Sequence, residues 1–190
     1  YRGVKPAMWS PVEKTALDEA EIEYHDHIST TIFARFTILI SPNNNLTGHE
    51  IIIWTTTPWT MPGNRAVAYG KGIEYSLLDI LDVEESSLAK GGDKILIASD
   101  LLEEVIKELL ISDYKISNKL KGDDLQGSIL GHPLNKFGYD HDVLLLEADF
   151  VTTDQGTGFV HIAPGHGSDD FELGKKNNLP IPETVSDNGI

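Results

Sequence analysis

Thr30–Thr57 reads TTIFARFTILISPNNNLTGHEIIIWTTT, two runs of strand-forming residues separated by turn residues. Its first part, Thr30–Ile40, is dense in β-branched and aromatic residues, which predicts a strand. Ser41–Gly48 supplies turn residues, and His49–Thr57 is a second β-branched run that ends at Pro58. The economical interpretation is a β-hairpin.

Further short runs of strand-forming residues follow this hairpin along the chain. They are Val67–Tyr69, Glu74–Ile80, Lys94–Ala98, Asp142–Glu147 and Gly158–Ala163. Roughly seven short strands predict a barrel-like or sandwich-like core. The expected fold class is therefore α+β, mainly β, with a barrel-like core on which a few helices pack.

Two segments are predicted to be helices. Asp100–Ile111 carries a continuous apolar stripe, and Asp100 with Glu103 matches a capping box. A shorter helix is expected to begin at Ser168 and to end near Asn177.

The chain is interpreted as a lead-in segment, 1–29, followed by one globular domain, 30–190. Lys5–Pro11 is punctuated by prolines and is expected to be extended, whereas Glu13–Glu23 carries competing helix and strand signals and is left open. Tyr1–Pro6 has neither an initiating methionine nor a signal-peptide pattern, so we expect a piece of a longer chain.

Thirty acidic and fifteen basic residues give a formal charge of −15, which disfavours a general nucleic-acid binder. A protein that touches only the tip of a nucleic acid, while another domain supplies the basic surface, escapes this objection. The chain has no cysteine, which excludes disulfides and thiolate chemistry and fits a reducing cytoplasm. Its apolar runs are shorter than the roughly 18–20 residues that a bilayer span needs, so no membrane partner is expected.

The first segment that carries chemistry is Trp54–Asn64, WTTTPWTMPGN. If its threonine run is extended, Thr55 and Thr57 face one way and Thr56 the other, so the strand end offers two hydroxyls to one pocket. Such hydroxyls can hold a water or a ribose. The structural alternative is that the threonines are ordinary strand residues, that Pro58 ends the strand, and that the tryptophans fill the core.

The second such segment is Gly156–Phe171, GTGFVHIAPGHGSDDF. A strand here leads through a Pro-Gly turn into the start of a helix. His161 shares a strand face with Phe159 and Ala163, and the glycines of the turn let the backbone approach a ligand closely. We therefore expect His161 and Asp170 to meet at one cavity.

Three interpretations of this second segment remain open. A metal site would use His161, His166, Asp169 and Asp170. A structural interpretation makes the two aspartates helix-dipole partners and His161 a hydrogen-bonded strand histidine. A substrate pocket would pair one carboxylate with a cation such as an α-ammonium, and because adjacent helical residues lie about 100° apart, one aspartate of the pair should face it.

Taken together, the two segments resemble the signature of the editing domain of the isoleucyl-tRNA synthetases, a family of class I aminoacyl-tRNA synthetases. Lys5–Tyr24 also resembles the lead-in of that domain, so the resemblance spans nearly the whole chain. The related valyl and leucyl editing domains carry Thr-Thr-Arg-Pro where this chain has Thr57-Pro58-Trp59, which favours the isoleucyl branch and leaves the valyl or leucyl branch as an alternative. The ATP-binding signatures of the synthetic site are absent, so amino-acid activation is not expected.

The resemblance implies a hydrolase that removes valine from mischarged tRNA(Ile) by attack of water on the ester, with valyl-adenylate as a further candidate substrate. One methylene is worth only about 1–3 kcal/mol in a binding pocket, and isoleucine against valine in this enzyme family is the established example of that limit. A second, hydrolytic site must therefore remove what the first admits. The alternative function is a non-catalytic module that docks the tRNA acceptor end, since no nucleophile or base is evident.

The resemblance also implies roles for individual residues. Asp170 is expected to hold the α-ammonium of the substrate, and His161 to shape the side-chain pocket against isoleucine. Thr55, Thr56 and Thr57 are expected to contact the adenosine end or to position water, without a covalent intermediate. Further candidates for substrate binding are Trp54, Thr60, Asn64 and His166.

The expected partners are the acceptor end of tRNA(Ile) carrying valine and the remainder of the synthetase. The domain is expected to be monomeric and cytoplasmic. No cofactor or metal is expected in this domain, since ATP and Mg²⁺ belong to the parent synthetase.

Overall fold

The computed structural model describes residues 5–190, apart from the side chain of Asn44. Part of the stretch Tyr1–Pro6, from which a longer chain is expected, thus lies outside the described residues. The strands are β1 Trp9–Ser10, β2 Thr15–Ala16, β3 Ile32–Ile40, β4 Glu50–Thr55, β5 Ala66–Tyr69, β6 Glu74–Val83, β7 Lys94–Ala98, β8 Ile111–Lys121, β9 Ile129–Gly131, β10 Asp142–Glu147 and β11 Phe159–Ile162.

Two α-helices and several 3-10 helices connect these strands. The α-helices are α1 Leu102–Glu108 and α2 Ser168–Lys176. The 3-10 helices are Glu19–Glu21, Asn44–Leu46, Pro58–Gly63, Ser99–Leu101, Gly122–Leu125 and Asn135–Phe137. No helix in residues 5–190 is long and apolar enough to cross a membrane.

One mixed sheet of nine strands, in the order β11-β5-β10-β9-β3-β4-β7-β6-β8, makes up the body of the molecule. The sheet curls so that β11 packs against β4. Tyr75 of β6 closes the curl, because its ring stacks on Phe159 at 4.5 Å and its hydroxyl donates to Gly158 O at 2.9 Å. The expectation of a mainly β, barrel-like core with a few packed helices is confirmed.

The hairpin predicted from Thr30–Thr57 is present as β3 and β4. Its antiparallel register runs from Ile32 opposite Thr55 to Thr37 opposite Glu50. Phe36 and Ile51 are fully buried on the inner face, where β-branched and aromatic side chains fill the core. The hairpin is therefore held by its apolar face as well as by its ladder of hydrogen bonds.

Strand β5 contributes side chains to two separate hydrophobic clusters, because successive side chains of a strand point to opposite faces. Val67 and Tyr69 join the main core of the curled sheet. Ala66 and Ala68 join a second cluster, under α2, together with Leu173 and others. Small residues on that face let α2 pack closely on β5 and β11, and this packing places the start of α2 beside the end of β11.

The predicted helix Asp100–Ile111 is wrong at both ends. Ser99–Leu101 forms a 3-10 turn, so Asp100 lies inside the first turn and makes no capping bond, and the expected capping box is absent. Leu110 adopts a φ of +56°, which ends the helical segment, and Ile111 begins β8. Strands β8 and β9 are not among the predicted strands, because alternating charged residues in β8 and the shortness of β9 hide them.

The segment left open at Glu13–Glu23 contains half of a small hairpin and a 3-10 turn. Trp9 of β1 pairs with Ala16 of β2, and Asp18 caps the turn at Glu19–Glu21. The indole Nε1 of Trp9 donates to Asp187 O at 3.0 Å. The lead-in segment thus contacts the C-terminal segment of the same chain.

Candidate functional site

The first chemistry-bearing segment turns sharply after β4. The strand ends at Thr55, two residues before the predicted end, and the 3-10 helix Pro58–Gly63 begins with proline at its first position. Proline fixes its own φ and lacks the N–H that a helix start leaves unused, so it suits this place. The chain then enters β5 directly after Asn64 and Arg65.

The second segment meets the first through the pairing of β11 with β5. His161 lies opposite Val67, and Ile162 lies opposite Ala66. Gly158, with a φ of +80°, directly precedes β11, and a Cβ there would overlap that of Ala98. Because β5 follows the first segment immediately, this pairing brings together two parts of the chain that are 97 to 101 positions apart.

A buried polar network, made of Thr60, Asn64 and His161, joins the two segments; we call it the His161 network. His161 Nε2 lies 2.9 Å from Thr60 Oγ1, and His161 Nδ1 lies 2.7 Å from Asn64 Nδ2. Asn64 Nδ2 also donates to Ala66 O at 2.8 Å, which fixes the orientation of the amide. Thr60 Oγ1 donates to Thr57 O at 2.8 Å.

These partners define the protonation of His161. Asn64 Nδ2 is a donor, so it donates to Nδ1, and the ring proton must lie on Nε2, which donates to Thr60 Oγ1. Burial, together with smaller contributions from the nearby His132 and His166, lowers the pKa of His161 to about 4. His161 is therefore neutral near pH 7, and both of its ring nitrogens are engaged in hydrogen bonds, so neither is free to act as a base.

The prediction that an extended threonine run points Thr55 and Thr57 into one pocket is wrong. Strand β4 ends at Thr55 and the chain bends at Thr56, so a turn brings the hydroxyls of Thr55 and Thr57 together. Thr55 Oγ1 and Thr57 Oγ1 are 3.3 Å apart, and Thr57 N donates to Thr55 Oγ1 at 3.1 Å. Thr55 is buried, whereas Thr56 and Thr57 are exposed. A groove of about 540 Å³ is lined by Thr56, Thr57, Pro58, Trp59 and residues 27–30.

Asp170 folds back onto the turn that precedes its own helix. Its Oδ2 accepts from Ala163 N at 2.7 Å, two residues beyond His161. Burial raises the pKa of Asp170, the bond from Ala163 lowers it, and Asp169 raises it again. Asp169 instead lines a groove of about 840 Å³ beside β10, so the two aspartates face different ways, as predicted.

The expected meeting of His161, Asp170 and the threonines is only partly present. The side chain of His161 contacts the first segment, whereas the described partners of the Asp170 side chain are in the turn at 163–167. The groove lined by Thr56 and Thr57 includes neither His161 nor Asp170. The backbone brings the two segments together, but no groove described for residues 5–190 is lined by the threonines together with His161 or Asp170.

Trp59 and His166 form a second contact between the segments, at the surface. Their rings meet edge to face at 5.1 Å, and His166 Nε2 lies 2.5 Å from Thr184 Oγ1. Both rings line a groove of about 780 Å³ between the two terminal segments. Trp54 lies elsewhere, in a small cavity of about 300 Å³ beside α1.

Three residues that motif reasoning missed lie behind the first segment. His132 Nε2 donates to Met61 O at 3.0 Å, because its Nδ1 accepts from Leu134 N. Arg65 Nη1 lies 2.5 Å from Asn64 O and 3.0 Å from His141 Nε2. Neither histidine belongs to a motif, and the only sequence signal for Arg65 is its place directly after the first segment.

In the part of the chain that the structure describes, no group of three or more His, Asp or Glu side chains is arranged to hold a metal ion. The residues of the metal interpretation have separate partners: Ala163 N binds Asp170, and Thr184 binds His166.

Curated proteins and solved structures are similar to this chain, although no protein-family profile matches it. Among curated proteins, isoleucine–tRNA ligases match 100% of this chain over 20% of their own length. That of Gluconobacter oxydans is 50% identical over 191 residues, that of Pelagibacter ubique 47% over 189, and that of Caulobacter vibrioides 45% over 196.

Solved structures with a similar fold include domains of leucyl-tRNA synthetases. The editing domain of the cytosolic leucyl-tRNA synthetase of P. knowlesi superposes with a TM-score of 0.60 and 14% identity, over 83% of this chain and 67% of that one. A CP1 domain, GlLeuRS-CP1, gives a TM-score of 0.56 and 15% identity, over 80% of this chain and 66% of that one.

The curled nine-stranded sheet therefore has the fold of the aminoacyl-tRNA synthetase editing domains. The sequence relatives make the assignment narrower. Over its whole length the chain is similar to isoleucine–tRNA ligases, and it spans about a fifth of the length of the relatives it matches. The expected resemblance to the isoleucyl branch is confirmed.

Proposed function

We propose that this chain hydrolyses the ester bond between valine and tRNA(Ile), with valyl-adenylate as a further candidate substrate, by direct attack of water. The observation that supports this proposal is the His161 network, which ties the threonine segment to the histidine segment through two buried side-chain contacts. A rigid connection of this kind is what a site needs if it must separate side chains that differ by one methylene.

The neutral state of His161 suits a wall that excludes isoleucine. A charged imidazole would need solvent or a carboxylate beside the apolar side chain of the substrate. With both nitrogens bonded to Thr60 and Asn64, the ring cannot rotate without breaking hydrogen bonds. The ring of His161 is therefore held in place, so it would clash with the extra methylene of isoleucine instead of moving aside.

The hydroxyls of Thr55 and Thr57 suit the sugar end of the substrate. They lie 3.3 Å apart, and Thr57 borders the groove of about 540 Å³. Hydroxyl groups both donate and accept, so they can position a water or a ribose without supplying charge. Because both nitrogens of His161 are engaged, we propose that the ribose hydroxyl of the tRNA and these threonines orient the attacking water.

Asp170 is proposed to hold the α-ammonium of valine. One carboxylate oxygen is anchored to Ala163 N, which fixes the direction of the other. An ammonium beside the carboxylate would offset the burial that raises the pKa of Asp170. The substrate thus would stabilise the ionised form that binds it.

Hydrolysis of preformed Val-tRNA(Ile) and Ile-tRNA(Ile) by the chain tests the proposal. We expect the valyl ester to be lost and the isoleucyl ester to survive. Equal loss of both esters, or stability of both, would exclude selective editing.

The variant Asp170→Ala locates the contact to the substrate amine. It should slow hydrolysis about 10- to 100-fold, the effect of removing a charge-assisted hydrogen bond worth about 1.5–3 kcal/mol. Asp169→Ala is the matched control, because it removes the same charge from the neighbouring position, which faces another groove. Equal rates for the two variants would contradict the assigned role.

A non-catalytic docking module for the tRNA acceptor end is the second candidate. It is favoured by one observation, namely that His161 has no free nitrogen to act as a base. Under this alternative Asp170→Ala weakens RNA binding, and the unmodified chain leaves both esters intact.

The remainder of the synthetase is proposed to supply the basic surface for the tRNA, together with ATP and Mg²⁺. The charge of −15 predicts weak binding of tRNA by this chain alone. A submicromolar dissociation constant for tRNA and this chain alone, at physiological salt, would contradict the proposal that the remainder of the synthetase supplies the basic surface. A monomeric state and a cytoplasmic location stay proposals as well.

A further inference from the structure

The two arginines among the described residues have opposite surroundings. Arg35 pairs with Glu50 at 2.7 Å and with Asp93 at 2.8 Å. Arg65 is partly buried, and within residues 5–190 no carboxylate lies within 4.0 Å of it. An unpaired and partly desolvated cation is unexpected in a chain of charge −15, where acidic partners are plentiful.

The guanidinium of Arg65 is held on one side and open on the other. Its Nη1 contacts Asn64 O at 2.5 Å, His141 Nε2 at 3.0 Å and Pro62 O at 3.4 Å. Its Nε and Nη2 have no protein acceptor among the described residues. The open Nε–Nη2 edge is the one that binds phosphate or carboxylate groups through two parallel hydrogen bonds.

The position of Arg65 connects this open edge to the candidate site. Arg65 follows Asn64, whose side chain contacts His161, and Arg65 N donates to Ile162 O at 2.9 Å. The backbone of Arg65 is thus fixed between the two chemistry-bearing segments. An anion on the open edge would therefore be held by the residue that directly follows the His161 network in the chain.

We infer that Arg65 binds a backbone phosphate of the single-stranded 3′ end of the tRNA, an inference that rests on the proposed function. In an aminoacyl ester the carboxyl group of the amino acid is no longer charged, so the anions of the substrate are its phosphates. The acidic surface repels such groups elsewhere. A fixed arginine therefore determines where the RNA backbone can approach.

The test measures how salt weakens the binding of a hairpin RNA that carries the tRNA(Ile) acceptor stem and its single-stranded 3′ end. Arg65→Gln should reduce the slope of log affinity against log salt by about 0.7, the value for one phosphate contact on a single strand. The matched control is Lys71→Gln, which removes the same charge at the opposite end of β5, where Lys71 pairs with Asp123 and Glu147. Its slope should equal that of the wild type.

A second variant separates charge from geometry and does not require the first to fold. Arg65→Lys keeps the charge but loses the bidentate Nε–Nη2 edge. The salt slope should therefore persist while the affinity for the RNA falls several-fold. An unchanged affinity would overturn the assignment of the open edge. An unchanged slope in Arg65→Gln, or an equal change in Lys71→Gln, would overturn the phosphate contact.

Two further probes distinguish the source of the phosphate. Inorganic phosphate that binds through Arg65 while the RNA slope stays unchanged would mean a small-anion site, and the RNA assignment would be wrong. A valine ester of adenosine, which has no phosphate, should bind the wild type and Arg65→Gln equally. Weaker binding of this ester to Arg65→Gln would mean that Arg65 acts only through the shape of its loop, and the assignment of a phosphate contact would again be wrong.

Failure of this inference is distinguishable from failure of the proposed function. RNA binding with a slope that depends on Arg65, in a chain that leaves Val-tRNA(Ile) intact, would retain the phosphate site and remove the hydrolase. Selective hydrolysis with no dependence of RNA binding on Arg65 would do the reverse.

Discussion

The His161 network and the nearby surface differ in what their polar atoms contact. We call that surface, made of Thr56, Thr57 and Trp59, the threonine rim. In the network both nitrogens of His161, the hydroxyl of Thr60 and the amide nitrogen of Asn64 have protein partners. The rim residues are exposed and border a groove.

This difference determines which polar atoms are available to a ligand. A hydrogen-bonding atom that is engaged inside the protein is not available to a ligand, whereas an exposed hydroxyl can exchange water for substrate. One atom departs from the pattern: Asn64 Oδ1 is buried without a donor in the described part of the chain. Substitutions in the network should therefore change the free energy of unfolding, and substitutions in the rim should change activity.

The largest effect is expected for Asn64→Leu. This variant removes the donor to His161 Nδ1 and to Ala66 O, and it leaves those acceptors buried without it. A buried polar group that loses its partner costs about 1–3 kcal/mol, so the free energy of unfolding should fall by about 3 kcal/mol. Urea unfolding measures the loss. A decrease below about 1 kcal/mol would mean that the network does not hold the segments together.

The second effect is a pH dependence that His161 should add to stability. Its folded pKa of about 4 is depressed below the ordinary value of 6.5, so the unfolded state takes up the proton first. The contribution is complete above pH 6.5, is lost as the pH falls from 6.5 to 4, and changes no further below pH 4. The total loss should approach about 3 kcal/mol.

His161→Gln isolates that contribution, because glutamine does not titrate. The difference in unfolding free energy between wild type and variant should shrink between pH 7 and pH 4.5. Parallel curves for the two proteins would mean that His161 is solvated and not buried as described. Other groups titrate in both proteins, so they cancel in the difference.

The fold could be predicted from the sequence where local signals were strong. Lys94–Ala98 and Asp142–Glu147 match β7 and β10 from end to end, because β-branched and leucine-rich runs there lie between turn residues. Ile111–Lys121 was missed, because its side chains are mostly exposed and its charges mask the alternation. The error also lengthened the preceding helix as far as Ile111.

The site could be predicted only in part, for a different physical reason. The composition of Trp54–Asn64 marks a special segment, but the contact between Thr55 and Thr57 comes from a turn after β4 and not from the predicted pleat of a strand. The contact between Asn64 and His161 depends on the pairing of β5 with β11, which local sequence does not encode. Arg65 could be identified only from the structure, because the signal is the set of atoms that its side chain contacts.

The third effect concerns Thr60, which links His161 Nε2 to Thr57 O. Thr60→Val keeps the shape and removes the hydroxyl, so two groups lose one partner, and stability should fall by about 1–2 kcal/mol. Thr60→Ser keeps the hydroxyl and should retain most of that stability. If serine and valine destabilise equally, the methyl group and not the hydrogen bond is the stabilising part.

The smallest effect on stability, and the sharpest separation of the two regions, is expected for Thr57→Val in the rim. Its hydroxyl is exposed and its closest side-chain partner is Thr55 Oγ1 at 3.3 Å, so the free energy of unfolding should change by less than about 0.5 kcal/mol. Hydrolysis of Val-tRNA(Ile) should fall about tenfold, the loss of one hydrogen bond to water or ribose. Thr57→Ser should restore the rate, since it restores the hydroxyl. If Thr57→Val destabilises the chain as much as Thr60→Val, then the rim is part of the network, and a change in rate at Thr57 no longer indicates contact with the substrate.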